Sequence, residues 1–158
     1  MIRTLVFLIA CCLALPLAAQ DRHEGYYYPP VTSTEVFDRV IRETDRASKV
    51  ARIDFVQSLT QSQLSAPEAP QFIFFAKGED ARDLIVVALN DDVFASLYRA
   101  RAVMAQVTVN VRQGSFFVEQ NLQFVATFYD LLQILEFDTL VLSDGTSWAH
   151  KVTFDRNQ

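Results

Sequence analysis

Apolar residues first gather in one run from Leu5 to Leu17 that no acidic residue interrupts, then return in shorter groups whose period changes along the chain. Between Asp45 and Leu64, Ile53, Val56, Thr60 and Leu64 recur at helical spacing, with Phe55 and Leu59 widening the stripe. Asp54, Gln57, Ser58 and Gln61 fill the opposite face, and Pro67 and Pro70 stop the helix and bracket a loop. The runs Gln71 to Lys77 (QFIFFAK) and Leu84 to Leu89 (LIVVAL) are rich in aromatic and β-branched residues and flank a polar turn containing Gly78. They predict a hairpin buried on both faces.

From Asp92 to Gln113 a second helix is predicted, with Ser96, Arg99, Gln106, Asn110 and Gln113 on a narrow polar stripe that only Val103 interrupts. The remaining arc, including Val93, Phe94, Leu97, Tyr98, Ala100 and Met104, is apolar, which places this helix at the centre of a domain. A loop at Gly114 to Asn121 leads to a short edge strand at Leu122 to Val125. Thr127 then caps a third helix, Phe128 to Phe137, with Asp130 positioned to close an acidic capping box. Thr139 to Leu142, the turn Ser143-Asp144-Gly145-Thr146 and Trp148 to Phe154 predict a second hairpin. Helix, hairpin, helix, helix, hairpin is not the alternation that builds a parallel sheet. The order predicts a single α+β domain, a mostly antiparallel sheet of two hairpins packed with three helices.

The first apolar run has a basic residue before it (Arg3) and small residues after it (Ala18-Ala19), the three parts of a secretion signal. Residues 1–19 are therefore expected to be a signal peptide, 20–44 an extended arm and lead-in, and 45–158 the α+β domain. The run is too short for a membrane span and carries Pro16, so no transmembrane segment is expected after cleavage. The expected location is periplasmic or secreted. Leu8-Ile9-Ala10-Cys11 also fits a lipoprotein cleavage pattern, with anchoring through Cys11 as the alternative.

Cys11 and Cys12 are the two cysteines, and both lie in the leader, so the exported domain has no thiol for disulfides, nucleophilic catalysis or thiolate metal sites. Stability then rests on packing, for which all but Phe7 of the thirteen phenylalanines remain. The net charge of −5 grows more negative when Arg3 leaves with the leader, which argues against nucleic acid as a partner.

Arg101 lies near the middle of the apolar arc of the second helix, and a guanidinium buried there requires a carboxylate or a bound anion. One reading is a structural ion pair with Asp130, Asp83 or Glu136. The other is recognition of a ligand carboxylate or phosphate by Arg101, with Tyr98 and Asp130 beside it. His23 and His150 show no metal-ligand spacing, and no metal site is expected. Ser143 with His150 suggests a serine triad but lacks the Gly-x-Ser-x-Gly elbow, and Asp-Gly at Asp144-Gly145 is a turn signal first. The pairs Glu79-Asp80 and Asp91-Asp92 sit at turns or helix starts, where the helix dipole accounts for Asp91-Asp92.

Tyr26-Tyr27-Tyr28-Pro29-Pro30 is either a recognition strip for a partner or an intramolecular clasp. The four glycines, Gly25, Gly78, Gly114 and Gly145, are dispersed, which excludes a P-loop and a dinucleotide fingerprint, and no cofactor is expected. Two functional classes stand: an exported binding or protein-interaction module, with another periplasmic protein as partner, or a periplasmic enzyme acting on a small anionic substrate.

The leader followed by DRHEGYYYPP, then FIFFAKG, LYRARAVMAQVT, FYDLLQILEFDTLVLSDG and the terminal WAHKV resembles a group of small exported bacterial proteins. The likeness covers most of the chain beyond the leader. Members are sometimes labelled molybdopterin-guanine dinucleotide biosynthesis protein A, a label that implies a cytoplasmic nucleotidyltransferase with an N-terminal glycine-rich loop. This chain has an export leader and no such loop.

Overall fold

A computed structural model describes residues 23–38, 47–114, 118–119, 121, 123–124 and 126–155. Among the described residues the named elements are three helices, α1 (Lys49–Leu64), α2 (Leu97–Val111) and α3 (Phe128–Ile134), and five strands. The strands are β1 (Ser33–Phe37), β2 (Phe72–Lys77), β3 (Asp83–Ala88), β4 (Thr139–Ser143) and β5 (Ala149–Phe154).

One sheet forms in the order β1-β5-β4-β3-β2. The expected hairpins β2–β3 and β4–β5 are antiparallel, and a parallel pairing of β3 with β4 joins them. The sheet is thus α+β as expected but mixed, because the chain between β3 and β4 runs through α2 and α3 and returns in the same direction. The fifth strand was not expected: β1 falls in the segment read as arm and lead-in, and it adds parallel to β5 from Ser33↔His150 to Phe37↔Phe154.

Each helix starts where a hydroxyl can accept an orphan backbone N–H. Ser48 accepts from Ala51, Ser96 from Arg99 and Thr127 from Asp130, with the Asp130 carboxylate closing the capping box on Thr127. The first helix therefore begins at Lys49; Asp45, where the pattern placed its start, lies outside the described residues. The second is shorter than the 92–113 expected. The edge strand expected at Leu122 to Val125 falls partly outside the described residues, and Gln123 and Phe124 form a turn.

Alternation along the strands divides the core in two. Leu84, Val86, Leu140, Leu142, Val152 and Phe154 face the helices and pack with Phe94, Met104, Phe128, Leu132 and Phe137. Ile85, Val141 and Ala149 face the other way and are covered by Tyr28, with Tyr27, Val31 and Phe75 beside them. Before β1 the arm makes a tight turn: His23 O accepts from both Tyr26 N and Tyr27 N, and Gly25, at φ +82°, donates to Tyr28 O at 2.7 Å. That tight turn presses Tyr28 onto the sheet. Among the described residues, no helix is long and apolar enough to cross a membrane.

Candidate functional site

The expectation that α2 lies at the centre is overturned. Ala100, Met104, Val107 and Thr108 are buried, but Tyr98 is 85 % exposed and Val109 51 %, with Arg101, Ala102 and Ala105 also on the surface. A helix on one face of a sheet offers a single stripe to the core, and the other apolar positions of α2 meet solvent.

Arg101 accordingly is not buried. Its Nη2 donates to Glu35 Oε2 at 2.7 Å, with the Arg101 side chain 59 % exposed. None of the expected partners takes this place. Asp130 bonds Thr127 within its own cap, Glu136 pairs with Arg82 at 3.3 Å, and Asp83 accepts from Thr139 at 2.8 Å. Tyr98 points to solvent, so Arg101, Tyr98 and Asp130 do not assemble one site.

What sequence reasoning missed is Glu35. β1 carries it beside His150, the strand register placing Ser33 directly opposite that histidine. Ser33 Oγ lies 2.8 Å from His150 Nδ1, and His150 Nε2 lies 3.5 Å from Glu35 Oε2. The His150 ring is almost sealed and stacks on Trp148, with ring centres 6.2 Å apart. Burial pushes its pKa below the usual 6.5, and the nearby Glu35 charge only partly opposes this. Tyr129, itself stacked on Phe37, lies next to Glu35 and Arg101, and burial raises its phenol to about 12. The cluster thus holds an imidazole between a hydroxyl and a carboxylate, the carboxylate fixed in turn by Arg101.

Ser143, the serine suggested by sequence, is used elsewhere. It lies on the opposite sheet face from His150, since Ser143 pairs with Ala149 and Leu142 with His150. Its Oγ donates to Trp148 O at 2.8 Å and accepts from Gly145 N at 2.9 Å. Asp144 is a turn residue: burial raises its pKa, but the N–H groups of Trp148, Thr146 and Ser147 outweigh that and hold it at about 2. His23 Nε2 stands 3.9 Å from Asp83, and no group of three or more metal-ligating side chains occurs among the described residues.

A second feature lies at the other side of the helical layer. α1 packs on β2 and α2 on α3, and the two longer helices leave between them a cavity of about 500 Å³. Phe55 and Leu59 of α1, Phe72 and Phe74 of β2, and Val107 and Leu131 form its apolar walls. Asp54, Ser58, Ser62, Gln63 and Asn110 supply polar groups from the two helices. A further recess of about 550 Å³ shares Gln63, Phe72, Val107 and Asn110 with it and extends the groove toward Pro70 and Ala102. No Lys, Arg or His is present among the described residues lining either. These dimensions and this lining fall in the range of small-molecule sites.

Compared with known proteins, the chain matches no family model, no curated protein and no solved structure.

Proposed function

We propose that the domain is an exported binding module that holds a small uncharged amphiphile, its apolar part lying between α1 and α2. The observation that carries this reading is the cavity, walled by aromatic and aliphatic side chains and joined to a second recess along α2. An elongated apolar groove suits a chain or flat ring system rather than a polar metabolite, because each polar group buried there without a partner costs free energy. The side-chain amides of Gln63 and Asn110 and the hydroxyls of Ser58 and Ser62 can orient a hydroxyl or amide head. Asp54 is the one charged side chain lining the cavity among the described residues, so an anionic head would find repulsion and no counter-charge.

The alternatives have less support. Arg101, the candidate handle for an anion, is matched by Glu35, and two of the three arm tyrosines are folded onto the sheet. The leader-like N-terminus supports action outside the cytoplasm, where amphiphiles must be carried through water.

The test is titration with N-phenyl-1-naphthylamine, a neutral apolar dye whose emission rises in an apolar site. Saturable binding of one dye per chain is expected, displaced by a monoacylglycerol more readily than by a fatty-acid carboxylate of equal chain length. Val111→Trp, which fills the cavity from α2, should weaken binding at least tenfold, about 1.4 kcal/mol, with an unchanged melting temperature. An unsaturable signal, or equal binding by the variant, overturns the proposal.

A further inference from the structure

We propose that Ser33 is a nucleophile activated by His150, and that the β1 edge of the sheet hydrolyses small esters. The inference is independent of the cavity, which lies against β2 at the opposite edge.

Its basis is the order of three side chains from strands 117 residues apart in sequence: hydroxyl, imidazole, carboxylate. Glu35 faces Nε2, and a carboxylate there favours the tautomer with its proton on Nε2. Nδ1 is then the acceptor, and it lies 2.8 Å from Ser33 Oγ, within reach for proton transfer. Arg101 holds Glu35 from the solvent side at 2.7 Å, which fixes the orienting group as the third member of such a relay requires. The stack of His150 on Trp148 restricts the ring, and Ser33 itself remains partly accessible.

In the reaction, Ser33 Oγ attacks the ester carbonyl carbon while its proton passes to His150 Nδ1. The bond to the alcohol oxygen then breaks, and the departing alcohol takes that proton. Water attacks the acyl-serine, again giving a proton to Nδ1, and the acid leaves as Ser33 recovers its hydrogen. No oxidant or metal is needed. The imidazolium formed in each half is stabilised by Glu35, a positioning residue here that Arg101 holds in place.

The experiment uses the purified chain, a fluorophosphonate probe and p-nitrophenyl acetate. One adduct per chain is expected, and peptide mapping should place it on Ser33. Turnover should fall about 100-fold or more in Ser33→Ala and His150→Gln, with Ser147→Ala, in the exposed hairpin turn, at the original rate. Glu35→Gln should move the acidic limb of the pH–rate profile to lower pH, since a neutral neighbour no longer supports the imidazolium. Mapping needs no variant, so a failure of any variant to fold leaves the proposal testable. It is overturned by absence of adduct and turnover in the original chain, by an adduct elsewhere, or by full turnover in a folded Ser33→Ala chain.

Discussion

Three consecutive tyrosines of identical chemistry are predicted to differ widely in what they contribute to stability, because the turn at Gly25 sends each to a different environment. Tyr28 is 3 % exposed and covers Ile85, Val141 and Ala149, the buried apolar cluster on that sheet face. Truncating a buried aromatic to alanine costs about 3–5 kcal/mol in a closed core. The arm can partly collapse into the space, so Tyr28→Ala belongs at the lower end, about 3 kcal/mol. At roughly 4 °C per kcal/mol for a domain of this size, the melting temperature should fall by about 12 °C. In urea, with a slope of about 2 kcal/mol per molar, the midpoint should fall by about 1.5 M. Tyr27 lies over Phe75 at 5.4 Å with the Lys77 ammonium 4.3 Å from its ring centre, so Tyr27→Ala should cost about 1–2 kcal/mol. Tyr26 is 81 % exposed and touches Tyr27 edge-on, so Tyr26→Ala should stay within about 0.5 kcal/mol. Equal effects for the three, or a Tyr28→Ala chain as stable as the original, would refute the clasp and return the arm to the role of an exposed recognition strip.

Arg52, on α1, is almost completely buried and donates to Asp80 O at 3.0 Å and Leu135 O at 2.9 Å. Arg52→Met leaves both carbonyls without that donor, one of them buried, and should cost about 2–3 kcal/mol by urea denaturation; Arg52→Lys should recover less than half, since an ammonium cannot reproduce the planar fork. Because His150 titrates below 6.5 when folded, the unfolded chain takes up its proton first on acidification. Its contribution is therefore fully present above about pH 6.5 and is lost as pH falls below that value, so the urea midpoint should decline from pH 7.5 to 5.5 and the decline should flatten in His150→Gln. A midpoint that rises on acidification would contradict the burial argument.

The parts of the fold that local chemistry determines were legible in the sequence. Thr127 and Asp130 are three residues apart and announce the α3 cap, and the two hairpins follow from apolar runs around Gly78 and Gly145. The periodicity of α2 was also correct, but periodicity says which positions share a face and not how wide a face the sheet will cover. Ala102, Ala105 and Val109 are small enough to remain on the surface at little cost, so the apolar arc looked broader than the buried stripe. Arg101 was misplaced by the same step. Its partner was invisible for a different reason: β1 turns Ser33 and Glu35 toward the helical side, and only Phe37 gives the strand an apolar inward residue. A strand whose inner positions are polar has no alternation to recognise, and its pairing with β5 connects positions too far apart in sequence for any local pattern to report.

That same pairing joins the arm to the proposed nucleophile. Thr32, between the tyrosine turn and β1, directs both its N–H and its hydroxyl to Ala149 O at 2.8 Å, immediately before His150. The turn at Gly25, the Tyr28 seat and the Thr32 bonds thus act in series on one strand, and that strand alone brings Ser33 and Glu35 to the histidine. Among the described residues β1 has one neighbour in the sheet, so its register against β5 rests on these anchors, on its own ladder and on Phe37 packing against Tyr129 and Phe154. Loosening Tyr28 should therefore disturb the Ser33–His150 geometry on the opposite face of the sheet before it unfolds the hydrophobic core. The cavity between α1 and α2, built on the far edge strand β2, does not depend on that chain of contacts.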